Sequence, residues 1–378
     1  MKSLVKIVAA GAAVVAATSL AACGSSGGSG KQTASKDIRL YVSGDVNEQD
    51  LWAKALIPGF EKANPGYKVH LTFDEHGVND TTQLAKLGAA VKTKRDYGYD
   101  VIDTGFVPSA VQGNLLAKPD SSKLPNMAGI SQDLLPPVKG MAVPYRGTAV
   151  ALAYNTKFVK NPPKTLDALL AWIKAHPGKF TYNSPNSGGA GGGFVTTVVD
   201  KYVPAGPRKT MTNTYDKADE KYWKDGLATL KGLKPSIYQH VYPNGNQAVL
   251  DLLGKESIWM APAWVDQTLS AQQAGTMPKS IKLTTITGPT FPGGGDYLGV
   301  PKNDGRIAAA DKLINYTLTP DAQAKVADVM SGFPAIDITK LPAALQKKFA
   351  GVANPTFRQG YQTNLSNDLN QQWQSNAA

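Results

Sequence analysis

The sequence has very little of the two side chains that most often build metal and redox centres: one cysteine, Cys23, and four histidines among 378 residues. A single cysteine excludes an intrachain disulfide bond and a cysteine-rich metal site. The histidines form no H-E-x-x-H motif, and no serine stands in the strand–turn–helix setting that a nucleophile elbow requires. We therefore expect no catalytic residue, no metal site and no cofactor.

Clusters of basic residues are also lacking, although basic residues are in excess. The chain has 40 lysines and arginines against 29 aspartates and glutamates, a formal net charge of +11. They are scattered, and neither a block of five or six nor a recognisable nucleic-acid-binding module occurs. We interpret the charge as a solvated basic surface that could lie near an anionic membrane, and we expect no nucleic-acid partner.

The amino terminus has the pattern of an export signal. Two lysines precede a mostly apolar stretch at residues 7–20, which is too short to span a bilayer as a stable helix. The sequence Leu-Ala-Ala-Cys that follows resembles the lipobox of bacterial lipoproteins. The resemblance implies that residues 1–22 are removed as a lipoprotein signal peptide and that Cys23 becomes an acylated amino terminus. Residues 23–36 are rich in glycine and serine and predict a flexible tether.

The stretch MAVPYRGTAVALAYN at residues 141–155 is the centre of the predicted architecture. We interpret residues 145–148 as a polar turn that leads into six apolar residues at 149–154. Such a short apolar run, bounded by glycine and asparagine, is typical of a strand that is covered on both faces. Because the segments before and after it both resemble α/β units, we expect the chain to cross between two lobes here.

Strand and helix patterns alternate on both sides of this crossing, which is typical of α/β proteins. Before it, the sequence predicts strands at 38–42, 67–73 and 100–104 and helices at 48–63 and 81–94. After it, a helix begins at the capping residue Thr165 and ends at His176. Further on, it predicts a glycine-rich turn at 184–193, strands at 180–182, 257–260, 281–286 and 297–300, and helices at 194–201, 216–230, 247–253, 263–274, 306–318 and 321–331.

Short stretches spread over most of the chain carry a resemblance to a known family. They include LIPGFEKANP at 56–65, TLDALLAWIKAHPGKFTY at 165–182, GKESIWMAPAW at 254–264, and LGVPKN and LTPDAQ within 298–323. Together they resemble the extracellular solute-binding proteins of ABC importers. The branch they resemble holds polyamine, thiamine and ferric-ion receptors and the YnjB-like proteins.

The resemblance implies a two-lobed α/β fold of the type II periplasmic-binding-protein kind, a clamshell in which hinge strands cross between the lobes. We expect lobe 1 to comprise residues 37–147 and 292–333, and lobe 2 to comprise residues 148–291 and 334–378. The resemblance also implies a monomeric, lipid-anchored receptor on the outer face of the bacterial cell membrane. It would capture a small polar solute and deliver it to an ABC permease without catalysis.

The ligand site is expected where the two lobes face each other. Clefts of this kind are built from loops at strand ends and from helix amino termini. One wall and the hinge would present Ser43, Gly44, Asp45, Thr104, Phe106, Tyr145, Arg146 and Thr148. The glycine-rich turn and other turns would add Ser187, Gly188, Gly191, Tyr242, Trp264, Asp266 and Tyr297.

Some of these candidate residues favour a negatively charged ligand, and others favour a positively charged one. The glycine-rich turn and Arg146 favour an anionic group, since backbone N–H groups and a guanidinium bind carboxylates and phosphates. Trp264 with Asp45 or Asp266 favours a cationic group. A zwitterion or a neutral polar solute would satisfy both sets, and a cation remains open. The adjacent tyrosine pair that is typical of ferric-ion receptors is absent, which argues against that ligand.

Two other functions are considered beside the receptor. An exported hydrolase would need a catalytic group, and residues 74–76, Asp-Glu-His, could in principle ligate a metal or act in acid–base chemistry. A solvated loop is the simpler interpretation of that tripeptide. A surface adhesion or scaffold protein would show internal repeats or a broad apolar face, and we detect neither.

Overall fold

The structure is a computed structural model that describes residues 35–75, 77–349 and 357–378. The predicted signal peptide, Cys23 with its predicted acylation, and all but the last two residues of the predicted tether lie outside the described residues. So does the histidine of the tripeptide at 74–76. Among the helices that the structure describes, none combines the length and the hydropathy that a membrane crossing needs.

The described residues form eight strands, and they are short except for the fourth. The strands are β1 Asp37–Gly44, β2 Lys68–Glu75, β3 Val101–Asp103, β4 Val143–Asn155, β5 Met260–Trp264, β6 Ile281–Thr284, β7 Gly293–Gly299 and β8 Phe333–Pro334.

Helices surround these strands and alternate with them along the chain. The α-helices are α1 Val46–Asp50, α2 Ile57–Ala63, α3 Asp80–Lys92, α4 Val107–Gln112, α5 Leu166–Ala175, α6 Gly189–Asp200, α7 Ala205–Met211, α8 Lys224–Leu233, α9 Asn246–Gly254, α10 Val265–Gln273, α11 Ile307–Thr317, α12 Pro320–Lys325, α13 Ala343–Lys348 and α14 Thr363–Asn376. Two π-helical turns, Leu51–Leu56 and Val326–Met330, join α1 to α2 and extend α12. The 3-10 turns are Pro125–Gly129, Gln132–Leu134, Pro136–Val138, Pro185–Ser187, Lys217–Trp223, Lys234–Ser236, Tyr238–His240 and Ile338–Lys340.

The strands form a mixed sheet in the order β2-β1-β3-β7-β4-β5, and β6 and β8 also pair with β4. β1 runs parallel to β2 and to β3, whereas β7 runs antiparallel to β3 and to β4. The sheet therefore combines parallel strands, which helices connect, with antiparallel pairs. This combination makes the fold a mixed α/β fold.

Strand β4 is shared by the two halves of the sheet. It pairs with β7 as far as Ala149 and with β5 from Val150 onward. We call the half that holds β1, β2, β3 and β7 the β1 half and the half that holds β5 and β6 the β5 half. The strand predicted to cross between two α/β units is therefore confirmed.

The polar turn predicted at residues 145–148 is wrong, because these residues lie inside β4. A shift in the pairing between Pro144 and Arg146 marks a β-bulge at this point. Bulges re-aim side chains without ending a strand. The polar side chain of Arg146 is accepted in a buried strand because acidic side chains pair with it.

Each half of the sheet packs its own hydrophobic core. In the β1 half, Trp52 and Tyr145 are fully buried together. In the β5 half, Leu152 packs with Trp223 and with Trp373 of the carboxyl-terminal helix α14. Because β4 supplies Tyr145 to one core and Leu152 to the other, it is the structural link between them.

Three local predictions have different outcomes. Thr165 accepts a hydrogen bond from the Ala168 N–H at 3.2 Å, so the predicted cap of α5 is confirmed. The strand predicted at 180–182 is wrong, since Phe180 makes only isolated bridges to Ile237 and Met260. The glycine-rich turn predicted at 184–193 ends early because α6 already begins within it.

Asp304, in the loop before α11, is a buried acid with an unusual environment. It is 7% exposed, and its Oδ1 accepts the Arg306 N–H at 3.0 Å. Burial raises the pKa of Asp304 from 3.8 to about 7, and the nearby Asp100 carboxylate adds to the rise. The proton on Asp304 therefore contributes stability below about pH 4 that is lost as the pH rises through about 7.

The effect of Asp304→Asn on the free energy of unfolding is expected to be more favourable at about pH 8 than at about pH 5, because asparagine has no proton to lose. The difference in unfolding free energy between variant and parent should grow by about 2 kcal/mol over this range. Urea unfolding at both pH values measures it. Asp120→Asn, at an exposed turn, is the control and should show no such gain. An unchanged difference for Asp304→Asn would contradict the assignment.

Candidate functional site

A cleft of about 750 Å³ opens between the β1 half and the β5 half. One wall comes from the end of β1, the start of α3 and the middle of β7, and the other comes from the starts of α6 and α9 and the end of β5. The described residues that line it are Ser43, Gly44, Asp45, Gly77, Val78, Asp80, Gly105, Asn186, Ser187, Gly188, Gly189, Asn244, Gly245, Asn246, Gln247, Trp264 and Asp296.

Six of the residues predicted for the ligand site line this cleft, and they come from both walls. The structure brings together Ser43, Gly44, Asp45, Ser187, Gly188 and Trp264. They meet because β1 and β5 both end at the cleft and α6 starts there. Ends of strands and starts of helices were the basis of the prediction.

Three predicted residues lie directly beside lining residues. Thr104 and Phe106 flank Gly105, and both are at least nine-tenths buried. Tyr297 follows Asp296 on β7 and is also buried. Since the residues of a strand alternate between two faces, the Tyr297 side chain points away from the face on which Asp296 lines the cleft.

Tyr145 and Arg146 lie behind the wall in a buried network. The guanidinium of Arg146 contacts Glu48 Oε1 at 2.6 Å and Asp296 Oδ2 at 2.5 Å, and its Nε donates to the Tyr145 hydroxyl at 3.0 Å. The Tyr145 hydroxyl donates in turn to Asp103 Oδ2 at 2.6 Å. Arg146 thus reaches the cleft through Asp296 and not through its own surface.

Thr148 and Asp266 form a second pair behind the wall. The Thr148 hydroxyl donates to Asp266 Oδ1 at 2.8 Å and joins β4 to the first turn of α10. Burial raises the pKa of Asp266, and the positive charge of Arg146 opposes that rise. Asp266 therefore places a buried carboxyl group close to the cleft without lining it.

Gly191 is buried and Tyr242 is half-buried, both on the side of the β5 half. A Cβ atom on Gly191 would lie 1.9 Å from the Asn183 carbonyl oxygen, so this position needs glycine for close packing. Tyr242 packs against Tyr182 and Trp373 with ring centroids 4.9 Å apart in both cases. These residues shape the wall and belong to the second core.

Several lining residues were not predicted, and two of them are acidic. Asp80 is the first residue of α3, one position before the predicted start of that helix. Asp296 lies in β7, which begins at Gly293, four residues before the strand predicted at 297–300. Asn244 and Gly245 form an Asn-Gly pair, a recognisable turn signal that could have marked this loop.

The charge of the cleft is negative on one wall. Asp45, Asp80 and Asp296 line it, and none of its described lining residues is lysine, arginine or histidine. The opposite wall presents the indole of Trp264. The ring packs closely on α6, because a Cβ atom on Gly189 would lie 2.5 Å from it.

The environment holds two of these carboxyl groups at unusual pKa values. Burial raises the pKa of Asp80 to about 6, with a contribution from the Asp74 carboxylate and an opposing hydrogen bond from Ser43. Burial also raises the pKa of Asp296 to about 6; Arg146 opposes this rise and Asp103 adds to it. Both groups are ionised at neutral pH but carry negative charge that is poorly solvated.

The backbone N–H groups at the start of α6 are already used inside the protein. The Gly191 N–H donates to Asn183 Oδ1 at 2.8 Å, and the Ala190 N–H donates to Asn246 Oδ1 at 3.3 Å. A helix start attracts anions through such free N–H groups. The glycine-rich segment is therefore less available to an anionic ligand than the sequence indicates.

Within residues 35–75, 77–349 and 357–378, no three histidine, cysteine, aspartate or glutamate side chains are arranged to hold a metal ion.

Comparison with known proteins gives consistent matches over most of the chain. A model of the bacterial extracellular solute-binding protein family matches residues 55–352. The spermidine/putrescine-binding periplasmic protein of Escherichia coli (strain K12) is 24% identical over 290 residues, which is 75% of each chain. Protein YnjB of the same organism is 25% identical over 284 residues, covering 69% of this chain and 70% of YnjB.

The fold is also similar to that of a solved structure. The spermidine/putrescine ABC transporter substrate-binding protein PotD from Streptococcus pneumoniae superposes with a TM-score of 0.66. The match covers 90% of this chain and 100% of that chain at 15% sequence identity. At this identity the likeness concerns the fold, and it confirms the two-lobed α/β fold class predicted from the sequence.

Proposed function

The chain belongs to the family of bacterial extracellular solute-binding proteins, and from this premise we propose that it captures a small organic cation in the cleft and delivers it to an ABC permease. One observation carries the choice of ligand. The cleft is lined by Asp45, Asp80 and Asp296 and by the indole of Trp264, with no basic side chain among its described lining residues.

A cation fits this arrangement for two physical reasons. The carboxylates of Asp80 and Asp296 are poorly solvated, so an ammonium group that approaches them gains more than it would in water. The face of Trp264 attracts an organic cation through its ring quadrupole. An ammonium held between the acidic wall and the indole would use both interactions.

The relatives support an amine as the cationic group. The Escherichia coli relative and the Streptococcus pneumoniae protein are both named for binding of spermidine and putrescine. Both compounds are linear chains with ammonium groups at neutral pH. A ligand of that class would match the charge of the cleft in this chain.

A zwitterion is the second candidate, because the starts of α6 and α9 also face the cleft. An amino acid could place its ammonium on the acidic wall and its carboxylate on these helix starts. The side-chain oxygens of Asn183 and Asn246 already occupy two N–H groups of α6. We therefore rank the cation first.

The rest of the proposal follows the family pattern. Lobe 1 would comprise residues 37–147 and 292–333, and lobe 2 residues 148–291 and 334–378, with β4 as the hinge. We propose that the protein acts as a monomer, is tethered to the outer face of the cell membrane by a lipid on Cys23, and performs no catalysis. The two separate cores joined by β4 support this division.

A thermal-shift comparison tests the ligand class. Spermidine and putrescine are expected to raise the unfolding temperature, whereas succinate is not. A ligand that binds only the folded protein adds about 2.7 kcal/mol when present at about 100 times its Kd. Asp80→Asn is the matched variant, and its shift with spermidine should be smaller.

The outcomes separate the candidates. Stabilisation by 4-aminobutyrate but not by spermidine would favour the zwitterion. Stabilisation by succinate alone would overturn the cation. If no compound stabilises the protein and it hydrolyses a test ester, the receptor function itself would be wrong.

A further inference from the structure

Glu48 of α1 lies directly behind the acidic wall of the cleft. It is 6% exposed, and its Oε1 contacts the guanidinium of Arg146 at 2.6 Å. A Cβ atom on Gly44, which lines the cleft, would lie only 1.9 Å from Glu48 Oε2. Only a glycine backbone therefore separates the Glu48 carboxyl group from the space where the ligand would bind.

The buried cluster around Glu48 has more acidic than basic groups. Arg146 is its one positive group among the described residues, and Glu48, Asp103 and Asp296 are three carboxyl groups that surround it. Asp266 on α10 is a fourth, near enough for the charge of Arg146 to act on it. Several uncompensated negative charges in a poorly solvated space cost several kcal/mol, so the empty cluster holds at least one proton.

Hydrogen bonds distinguish Asp103 from Glu48. Burial raises the pKa of Asp103, but Arg146 opposes the rise, and so do two hydrogen bonds to Asp103 Oδ2, from the Tyr145 hydroxyl at 2.6 Å and from the Trp52 indole N–H at 2.8 Å. Among the described residues, the Arg146 guanidinium is the hydrogen-bond partner that favours the ionised form of Glu48. Burial raises the pKa of Glu48 well above its ordinary value, with Asp103 and Asp296 adding to the rise and Arg146 opposing it.

We propose that Glu48 is the residue that adjusts the charge of the cleft to its ligand: capture of an organic cation displaces the proton that Glu48 holds in the empty protein. This inference rests on the proposed function. The O–H bond of Glu48 breaks, its electron pair stays on the carboxylate, and the proton passes to the solvent. The ligand's positive charge then takes the place of the proton. The ligand and Arg146 together balance the negative charges of the cluster.

This role makes Glu48 a specificity-determining residue that need not touch the ligand. A cation that reaches Asp296 from the cleft makes the ionised form of Glu48 acceptable, whereas a neutral solute of the same shape does not. Since Arg146 contacts both Glu48 and Asp296, the two carboxyl groups respond to the ligand together. The preference for a cationic ligand thus depends on Glu48 behind the wall as well as on the carboxylates at the surface of the wall.

Isothermal titration with spermidine in phosphate and in Tris tests the role of Glu48. These buffers differ in ionisation enthalpy, so the two heats give the number of protons released. At about pH 7.5, Asp80 and Asp296 are already ionised because their pKa values are about 6. We expect the unaltered protein to release about one proton more than Glu48→Gln, since protonation of spermidine itself is common to both.

The pH dependence of spermidine affinity in the unaltered protein is a second test, and it does not require the variant to fold. In the unaltered protein, the affinity for spermidine should rise up to about tenfold from pH 7 to pH 8, above the range where Asp80 and Asp296 titrate. In Glu48→Gln it should be nearly constant. Spermidine binding with no net proton release, or with equal release in both proteins, would overturn the role of Glu48 and leave the cation receptor intact. Lack of spermidine binding to either protein would overturn the cation assignment and this inference with it.

Discussion

Arg146→Met is expected to lower the free energy of unfolding by about 3–5 kcal/mol at neutral pH, because it leaves buried carboxyl groups without their positive partner. The side chain of Arg146 is 4% exposed and that of Glu48 is 8% exposed. Methionine fills much of the volume but donates no hydrogen bond to Glu48, Asp296 or Tyr145. Urea unfolding, with the midpoint and slope fitted separately, measures the loss.

The pH dependence and a matched control sharpen this expectation. The loss should become smaller at about pH 5, where the carboxyl groups beside position 146 take up protons and need no counter-charge. Arg39→Met is the control: Arg39 also contacts two aspartates, but its side chain is 26% exposed and Arg306 still pairs with the buried Asp100. A loss of about 1 kcal/mol or less is expected there. Equal losses for both variants would contradict the view of Arg146 as the centre of a buried cluster.

Local sequence patterns predicted much of the fold because short-range interactions decide it. The spacing of leucines after Thr165 predicts α5, and the structure confirms the helix and its cap. The apolar run at 149–154 predicts a buried strand, and these residues lie in β4 between β5 and β6. In both cases the residues that fix the structure are close together in the sequence.

Long-range contacts explain the predictions that are wrong. The polar residues at 145–148 resemble a turn, but Glu48 and Asp296 pair with Arg146 and allow the strand to continue through them. The start of α6 inside a glycine-rich segment is supported by Asn246, which lies 56 residues beyond Ala190 in the sequence and accepts its N–H. Such distant partners are not visible in the local sequence.

Local patterns and long-range contacts also separate the predicted from the unpredicted residues of the candidate site. Ser43, Gly44 and Asp45 follow a clear strand pattern, and they line the cleft. Asp80 and Asp296 were not predicted because they come from segments about 200 residues apart that only the folded sheet brings to one wall. Without them the sign of the ligand charge was left open by the sequence, and with them the acidic character of the wall is evident.

Trp264→Ala is expected to weaken spermidine binding by roughly 30-fold. A desolvated cation over an indole gains about 2 kcal/mol, and each 1.4 kcal/mol changes the affinity about tenfold. Trp264 ends β5, and its ring is held against Gly189, so it is already oriented toward the cleft in the free protein. Titration calorimetry on the purified variant, with its unfolding temperature checked in parallel, measures the change.

Two further variants distinguish ring-face attraction from a loss of shape. Trp264→Phe keeps an aromatic face and should retain a larger share of the affinity than alanine does. Trp172→Ala removes another partly buried tryptophan, one that stacks on His176 at 4.2 Å and does not line the cleft. Its affinity for spermidine should match that of the unaltered protein. If Trp264→Ala also bound spermidine normally, the indole would have no part in recognition, and the acidic wall alone would have to account for binding of the cation.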